Sequence, residues 1–176
     1  VVIVNTPDRF HFDMARQALE AGKHVVVEKP FTFTFAEADH LIQLAEKRNL
    51  LLTAYQNRRW DGDFLTVKQV MDSGVLGQLV EYESHFDRFR TVASDTWKEE
   101  EGEHAGVLYN LGSHLVDQAV ALFGLPEAVT AHLRKVRPGS RIYDYFDIRM
   151  HYPSFAALLK CSYRVKEEGP RYTLHG

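Results

Sequence analysis

Three short apolar segments separated by helical patterns restrict the fold of this chain more than any other feature. The segments are residues 1–4, 24–27 and 50–53, and they are rich in valine, isoleucine and leucine. Continuous apolar runs of this kind are typical of strands in a parallel sheet that is covered on both faces, with right-handed helical crossovers. We therefore predict that residues 1–58 form an α/β unit, the C-terminal half of a Rossmann-type parallel sheet.

The two helical patterns have recognisable ends. The first covers residues 10–21 and stops at Gly22, a residue that favours the left-handed conformation of a helix C-cap. Its predicted apolar stripe consists of Phe10, Met14, Ala18 and Ala21. The second begins with a capping-box pattern in which Thr34 is followed by Glu37.

Beyond Tyr55 the pattern changes to longer strand candidates joined by turns. Leu108, Leu111, Leu115, Ala119 and Leu122 predict one helix face, and residues 63–73 predict another helix. The strand candidates are residues 79–89, 128–135, 144–152 and 156–163. Short turns at residues 138–139 and 153–154 favour antiparallel pairing. We expect residues 59–176 to form an α+β domain with a mainly antiparallel open sheet.

Composition excludes several functional classes. The 21 basic and 24 acidic residues give a net charge of −3, without the basic patch of a nucleic-acid-binding protein. No apolar run reaches the ~20 residues of a membrane span, and no signal peptide is recognisable. The one cysteine, Cys161, forms no internal disulfide, and no Cys or His spacing indicates a metal site. We expect a cytoplasmic protein that binds small molecules, without nucleic-acid or membrane partners.

The two ends of the chain look like cuts through strands. Residues 1–4 read as a strand without a preceding methionine, and residues 172–176 read as another. We expect a piece of a larger fold, with an apolar sheet edge and sheet faces left uncovered. Such a piece is expected to be stable only together with its missing segments.

Lys29 is the first candidate for chemistry. Ligands of open α/β sheets bind beyond the carboxyl ends of the strands, and Glu28-Lys29-Pro30 follows the second predicted strand. The rigid Pro30 would aim the ammonium into the crevice, where it could donate to a substrate hydroxyl and stabilise negative charge. From this tripeptide alone, an ordinary loop lysine is an equally good interpretation.

His114 is the second candidate. Asn110, His114 and Asp117 follow at i, i+4 and i+7, which predicts one shared helix face. A histidine with its ordinary pKa near ~6.5 can accept a proton at neutral pH. The alternative is a structural histidine, and Asp117 could orient the imidazole or simply solvate the helix.

Other polar features have simpler interpretations. Cys161 lies in a predicted strand and reads as a small core residue. The charge run over residues 98–101 reads as a solvated loop. Arg88, Arg90 and Trp97 could bind a polar substrate, or could serve as surface and packing residues.

Four motifs, in this order and spacing, resemble the Gfo/Idh/MocA family of nicotinamide-dependent oxidoreductases. They are Asn5-Thr6-Pro7 with His11, Glu28-Lys29-Pro30, residues 55–60, and residues 106–118. The resemblance covers the whole chain and is strongest to the NADP-dependent scyllo-inositol dehydrogenase-like branch. It implies that the Gly-rich phosphate-binding turn precedes Val1, so we expect the chain alone to bind cofactor weakly.

The resemblance also implies roles for individual residues. Lys29 would hydrogen-bond the substrate hydroxyl and the nicotinamide ribose, and His114 would accept the hydroxyl proton as hydride leaves the carbon. The implied cofactor-binding residues are Asn5, Thr6, Pro7, His11, Glu28, Lys29, Pro30, Gln56 and Arg58. The implied substrate-binding residues are Arg88, Trp97, Asn110, His114 and Asp117. Asn110, also a candidate catalytic residue, replaces an aspartate that many relatives carry, and an amide cannot take up a proton.

The implied activity is hydride transfer between NAD or NADP and a hydroxyl carbon of a sugar or cyclic polyol. The resemblance implies a homo-oligomer, commonly a dimer, formed through the antiparallel sheet. Two alternatives stay open. One is an NAD-dependent glycoside hydrolase of the same superfamily, and the other is a non-catalytic binding or assembly module.

Overall fold

The computed structural model describes residues 1–93, 99, 102 and 104–176. These residues pack into two compact units, Val1–Asn57 and Arg58–Gly176. The division falls one residue before the predicted boundary. Across the described residues, no helix is both long and apolar enough to cross a membrane.

The first unit alternates strands and helices as predicted. Its elements are β1 (Val2–Val4), α1 (His11–Glu20), β2 (Val25–Val27), α2 (Phe35–Lys47) and β3 (Leu52–Ala54). A short 3-10 turn, Asp8–Phe10, precedes α1. The strands pair in the order β1-β2-β3 and all run parallel. This arrangement confirms the predicted parallel sheet.

Among the described residues of this unit, helices cover one face of the sheet and leave the other exposed, which agrees with the expectation of an uncovered sheet face. Both helices pack on the same face, through a core formed by Val4, Ala15, Leu19, Val25, Val27, Leu41 and Ala45. The opposite face carries the row Ile3, Val26 and Thr53, which are aligned by the strand register. Ile3 is 71% exposed. The strands carry apolar side chains on both faces of the sheet. Both connecting helices, however, pack on the same face.

The buried stripe of α1 also differs from the prediction. Phe10 and Met14 are 40% and 42% exposed, while His11, Ala15 and Leu19 face the core. The prediction followed the large apolar residues and therefore selected the neighbouring face. His11 is polar, so a pattern based on apolar residues does not identify it as part of the buried face, although its ring nitrogens find partners inside the unit.

The predicted helix ends are confirmed. The Thr34 hydroxyl accepts from the Glu37 backbone N–H, and the Glu37 carboxylate accepts from the Thr34 N–H, so the capping box is complete. Gly22 follows α1 with a φ of 72°. These local signals fix where the helices start and stop.

The second unit contains two helices and a five-stranded sheet. The helices are α3 (Gly62–Ser73) and α4 (Ser113–Phe123), and a π-helical turn, Leu108–Gly112, leads into α4. The strands are β4 (Glu81–His85), β5 (Ala128–Arg134), β6 (Tyr145–His151), β7 (Ala156–Ser162) and β8 (Tyr172–His175).

The five strands form a mainly antiparallel sheet in the order β5-β6-β7-β4-β8. One pair, β4 with β7, is parallel. Alternate residues point to the core, where Tyr82, Phe146, Leu159 and Cys161 are fully buried. Leu115 and Ala119 of α4 pack into this same core, as the stripe predicted. Together the two units confirm the predicted fold class.

Candidate functional site

Two loops at one edge of the first sheet carry most of the predicted site residues of this unit. Asn5-Thr6-Pro7 follows β1, and Glu28-Lys29-Pro30 follows β2. Because β1 and β2 are adjacent and parallel, the two loops emerge at the same edge. The Glu28 N–H donates to the Val4 carbonyl at 2.9 Å, which extends the pairing up to Lys29.

The Lys29 backbone is held on both sides. The Lys29 N–H donates to the Glu28 carboxylate at 3.1 Å, and on the other side the Pro30 carbonyl oxygen lies 2.7 Å from His11 Nδ1. Lys29 itself is half-buried. The structure therefore places this lysine in an ordered loop at the ligand edge of the sheet.

The His11 imidazole links the two loops. Its Nδ1 lies 2.7 Å from the Pro30 carbonyl oxygen, and its Nε2 lies 3.0 Å from the Thr6 carbonyl oxygen. The ring is buried, with 1% of the residue exposed. A direct contact between this ring and a cofactor stays a prediction. The structure shows the ring used as a link inside the unit.

Two polar atoms near the strand ends have no hydrogen-bond partner among the described residues. They are the Thr6 hydroxyl, after β1, and the Gln56 amide oxygen, after β3, and both are buried. An unpaired buried polar atom is costly, and a polar ligand would supply the partner. A hydroxyl that can donate and accept, and an amide oxygen that can accept, fit the ribose and carboxamide groups of a nicotinamide cofactor.

In the second unit, the helical segment that carries Asn110 and His114 is not a uniform α-helix. Asn110 lies in the wide π-helical turn, and His114 lies in the first turn of α4. The predicted common face assumed α-helical spacing throughout, but four residues also cover close to one turn of a π-helix, so a shared face for Asn110 and His114 stays a prediction. Such turns are frequent at functional sites. His114 is buried, with 4% of the residue exposed.

Close packing explains the glycine just before α4. A Cβ on Gly112 would lie 2.8 Å from Leu108 Cδ1 and 3.1 Å from the Phe146 ring. Glycine therefore lets the helix start approach β6 without displacing the Leu108 and Phe146 side chains. The position of His114 therefore depends on this contact, two residues away.

Asp117 has a partner other than the imidazole. Its two oxygens accept from Arg59 Nε and Nη2 at 2.8 and 2.7 Å. The hydrogen bonds to Asp117 raise the pKa of the Arg59 guanidinium. One residue on, Gln118 donates to the Arg58 carbonyl at 2.9 Å and accepts from the Tyr172 hydroxyl at 3.0 Å. These bonds tie α4 to the segment before α3, while substrate binding by Asp117 stays a prediction.

Three guanidinium groups surround the Phe86 ring. Those of Arg58, Arg88 and Arg171 lie 4.7, 5.3 and 4.1 Å from its centre. Arg88 also lines a surface cavity of about 100 Å³. The other lining residues are His85, Phe86, Asp87, Glu168, Gly169 and Arg171. This cavity makes Arg88 accessible to a polar ligand.

The charge run over residues 98–101 does not behave as a solvated loop throughout. Glu99, the described member of that run, is 5% exposed. It lies 2.9 Å from Arg137 Nη2, and Arg137 Nε lies 2.7 Å from Asp144. The fully buried guanidinium thus joins two carboxylates. Trp97, a predicted substrate-binding residue, lies outside the described residues.

Cys161 is a buried core residue, as predicted. Burial raises the pKa of its thiol to about 12, and Sγ donates to the Phe86 carbonyl. Because the thiolate is the reactive form, we expect no alkylation of the folded chain by iodoacetamide at pH 8 and full alkylation in urea. Mass spectrometry of both samples measures this, and rapid modification of the folded chain would contradict it.

Folding also brings together one set of possible metal ligands that sequence spacing did not reveal. Donor atoms of Glu81, Glu83 and His175 lie within 4.8 Å of one another on β4 and β8. Glu83 already contacts His85 Nε2 at 3.2 Å, and Glu81 lies 3.9 Å from Arg149. Since both carboxylates have cationic or hydrogen-bonding neighbours, we assign no ion to this group.

Comparison with known families accounts for both units. Residues 1–56 match the profile described as "Oxidoreductase family, NAD-binding Rossmann fold", and residues 64–176 match the "GFO/IDH/MocA C-terminal domain". The chain belongs to the Gfo/Idh/MocA oxidoreductase family. The resemblance carried by the motifs is thereby confirmed.

Curated Gfo/Idh/MocA relatives match the chain from end to end. "Uncharacterized oxidoreductase YdgJ" of Escherichia coli is 46% identical over 100% of this chain and 51% of its own length. "scyllo-inositol 2-dehydrogenase (NADP(+)) IolW" of Bacillus subtilis is 42% identical over 100% of this chain and 49% of its own. The chain thus spans about half the length of these relatives.

Solved structures agree with this assignment. The putative oxidoreductase yvaA from Bacillus subtilis has a TM-score of 0.95 at 42% identity, covering 99% of this chain and 50% of that one. The probable oxidoreductase yhhX has a TM-score of 0.93 at 44% identity, with the same coverage of each chain.

Proposed function

We propose that this Gfo/Idh/MocA chain carries the catalytic residues of an NAD(P)-dependent dehydrogenase acting on a hydroxyl carbon of a sugar or cyclic polyol. The observation that carries the proposal is the place of Lys29. It stands two residues beyond β2, at the ligand edge of the parallel sheet, with its backbone fixed on both sides. The 42% identity to a scyllo-inositol dehydrogenase supports a polyol substrate.

The chemistry follows from the two candidate side chains. The Lys29 ammonium donates to the substrate oxygen and stabilises the negative charge that develops there. His114 accepts the hydroxyl proton, a role open to a neutral imidazole. A nicotinamide cofactor, held by the first unit, would supply the redox chemistry by accepting the hydride from the carbinol carbon. The product is a ketone, and Asn110 contributes hydrogen bonds without proton transfer.

The first unit supplies the nicotinamide side of the proposed site. The unpaired Thr6 hydroxyl and Gln56 amide oxygen are the groups that would hydrogen-bond NAD or NADP. Asn5 and Pro7 belong to the same loop as Thr6, and Glu28 and Pro30 flank Lys29. In the second unit, Arg58 and the cavity-lining Arg88 are the proposed polar contacts.

We further propose that the protein is a cytoplasmic homo-oligomer assembled through the face of the five-stranded sheet that points away from the core. That face carries charges of both signs, including Glu83, Asp147, Arg149 and Lys160. Mixed charges allow self-complementary pairing about a two-fold axis. Sedimentation of the protein with and without Arg149→Glu tests this assembly, since a dimer that persists unchanged would argue against this face.

The activity is tested in the chain extended at both ends to the length of its relatives. The extended protein is mixed with NAD⁺ or NADP⁺ and with inositols, free sugars or glycosides, and the absorbance of reduced nicotinamide is followed. Net reduction of the cofactor with a polyol or sugar is the expected result. Sugar release from a glycoside without net reduction would instead identify a hydrolase. Neither reaction, in a protein that binds cofactor, would overturn the enzymatic proposal.

A further inference from the structure

His11 has a structural position that its predicted role as a cofactor contact does not explain. It is the first residue of α1, its ring is almost completely buried, and each ring nitrogen meets a carbonyl oxygen of a different loop. The two oxygens belong to Thr6 after β1 and to Pro30 after β2. Carbonyl oxygens only accept, so each contact is a hydrogen bond when its ring nitrogen carries hydrogen.

The neighbouring loop geometry shows what this link controls. On the N-terminal side of Lys29, the Glu28 N–H is bonded to Val4 at 2.9 Å. On its C-terminal side, Pro30 has a ring-restricted φ and its carbonyl meets His11 at 2.7 Å. Lys29 is therefore anchored at one end by the sheet and at the other by the imidazole.

We propose that His11 is a positioning residue that sets the location of Lys29, because its ring lies between the two loops with one nitrogen against the Thr6 carbonyl oxygen and the other against the Pro30 carbonyl oxygen. The inference rests on the proposed catalytic role of Lys29. Through the Thr6 carbonyl, the same ring contacts the loop that carries the buried, unpaired Thr6 hydroxyl, a proposed cofactor contact. One side chain thus couples the lysine loop to the nicotinamide loop within the first unit.

A role in simple core filling would not need this chemistry. The next two residues on the same face of α1, Ala15 and Leu19, are apolar and fully buried. An apolar residue in place of His11 would leave the Thr6 and Pro30 carbonyls without an imidazole donor, which is unfavourable for buried groups. The loops would then be free to move relative to each other, even where the helix stays folded.

The first test uses the extended protein and does not depend on activity. Nitrogen-15 NMR is expected to show hydrogen on a His11 ring nitrogen that exchanges slowly with solvent, with a coupling across a hydrogen bond to the Thr6 or Pro30 carbonyl. Spectra of His11→Ala assign the signals. Rapid exchange with solvent and no coupling to either carbonyl would overturn the two-loop link.

The second test measures kinetics in the extended protein. His11→Ala is expected to lower kcat by about tenfold to a hundredfold, because small misplacement of a catalytic group has effects of this size. KM for the cofactor should change by less than about threefold, since a positioning residue acts on the chemical step. His11→Gln, which retains donors, should recover part of kcat. His40→Ala, at an exposed histidine of α2, is the matched control and should match the unmodified protein.

A double-mutant cycle separates positioning from general stabilisation. In a Lys29→Ala background, His11→Ala is expected to cause no further loss of kcat, because there is no ammonium left to position. An equal loss in both backgrounds would show a merely structural role and overturn the proposal. If Lys29→Ala alone kept full activity, the proposed function would fail, and the NMR result would still decide whether the link exists.

Discussion

Arg137→Met is expected to lower the free energy of unfolding of the chain by about 3–5 kcal/mol, because removing one partner of a buried ion pair leaves the others uncompensated. The Arg137 side chain is completely buried between Glu99 and Asp144. Its guanidinium also donates to the Val92 carbonyl at 2.9 Å and lies 4.9 Å from the Tyr163 ring centre. Urea denaturation followed by circular dichroism measures the change.

The matched control is Arg134→Met, at an exposed arginine of β5. An exposed substitution of this kind is expected to change stability by less than about 0.5 kcal/mol. Adding Asp144→Asn to Arg137→Met removes one of the stranded charges and should recover part of the loss. A loss below about 1 kcal/mol for Arg137→Met would show that the buried carboxylates find other partners.

The loss of unfolding free energy caused by Arg137→Met is expected to depend on pH. Burial acts to raise the pKa of the Asp144 carboxyl, but hydrogen bonds from Arg137 and from the Val136 N–H outweigh it, so the net pKa lies below 3.8. The resulting stability is present above that ordinary value and is lost as the pH falls through the folded pKa. Without Arg137, burial dominates and protonation becomes favourable. The difference between the two proteins should therefore begin to shrink above pH 3.8, as the carboxyl of the variant takes up a proton, and should shrink further below 3.8, as the unmodified protein loses its stabilisation.

Local signals predicted most of the fold. Alternating apolar runs and helical stretches identified the parallel sheet, and Thr34 with Glu37 marked the start of α2. The strand candidates over residues 128–135 and 156–163 correspond closely to β5 and β7. These features depend on residues within a few positions of one another, and a single sequence contains that information. The parallel pairing of β4 with β7 joins residues 75 positions apart, such as Glu81 and Ala156, and left no local signal.

The parts of the site that escaped prediction depend on distant contacts. Glu99 looked like part of a solvated run because its partner Arg137 lies 38 residues further along. His11 is a polar residue on the buried face of α1, and its partner Pro30 lies 19 residues further along the chain. The π-helical turn before His114 also depends on packing, since Gly112 contacts Phe146 of β6. Motif spacing identified which residues to consider, whereas their partners required the fold.

Lys29→Met in the extended protein is expected to lower kcat for polyol oxidation by about 10²–10⁴-fold, the usual effect of losing a charge-stabilising or proton-transfer group. Methionine keeps much of the length of the side chain and removes the ammonium. The dissociation constant of the cofactor should change by less than about tenfold, because the other proposed contacts remain. Stopped-flow measurement of reduced nicotinamide gives kcat, and a fluorescence titration gives cofactor binding.

Lys23→Met is the control for the loss of a positive charge, because Lys23 is an exposed lysine in the turn before β2 of the same unit. It should retain the kcat of the unmodified protein.

A substrate deuterated at the carbinol carbon then shows which step of the reaction the Lys29→Met substitution slows. If Lys29 stabilises the oxygen during hydride transfer, the variant is limited by that step and its isotope effect on kcat is at least as large as that of the unmodified protein. A role confined to binding would raise KM and leave both kcat and its isotope effect unchanged, which would contradict the catalytic assignment.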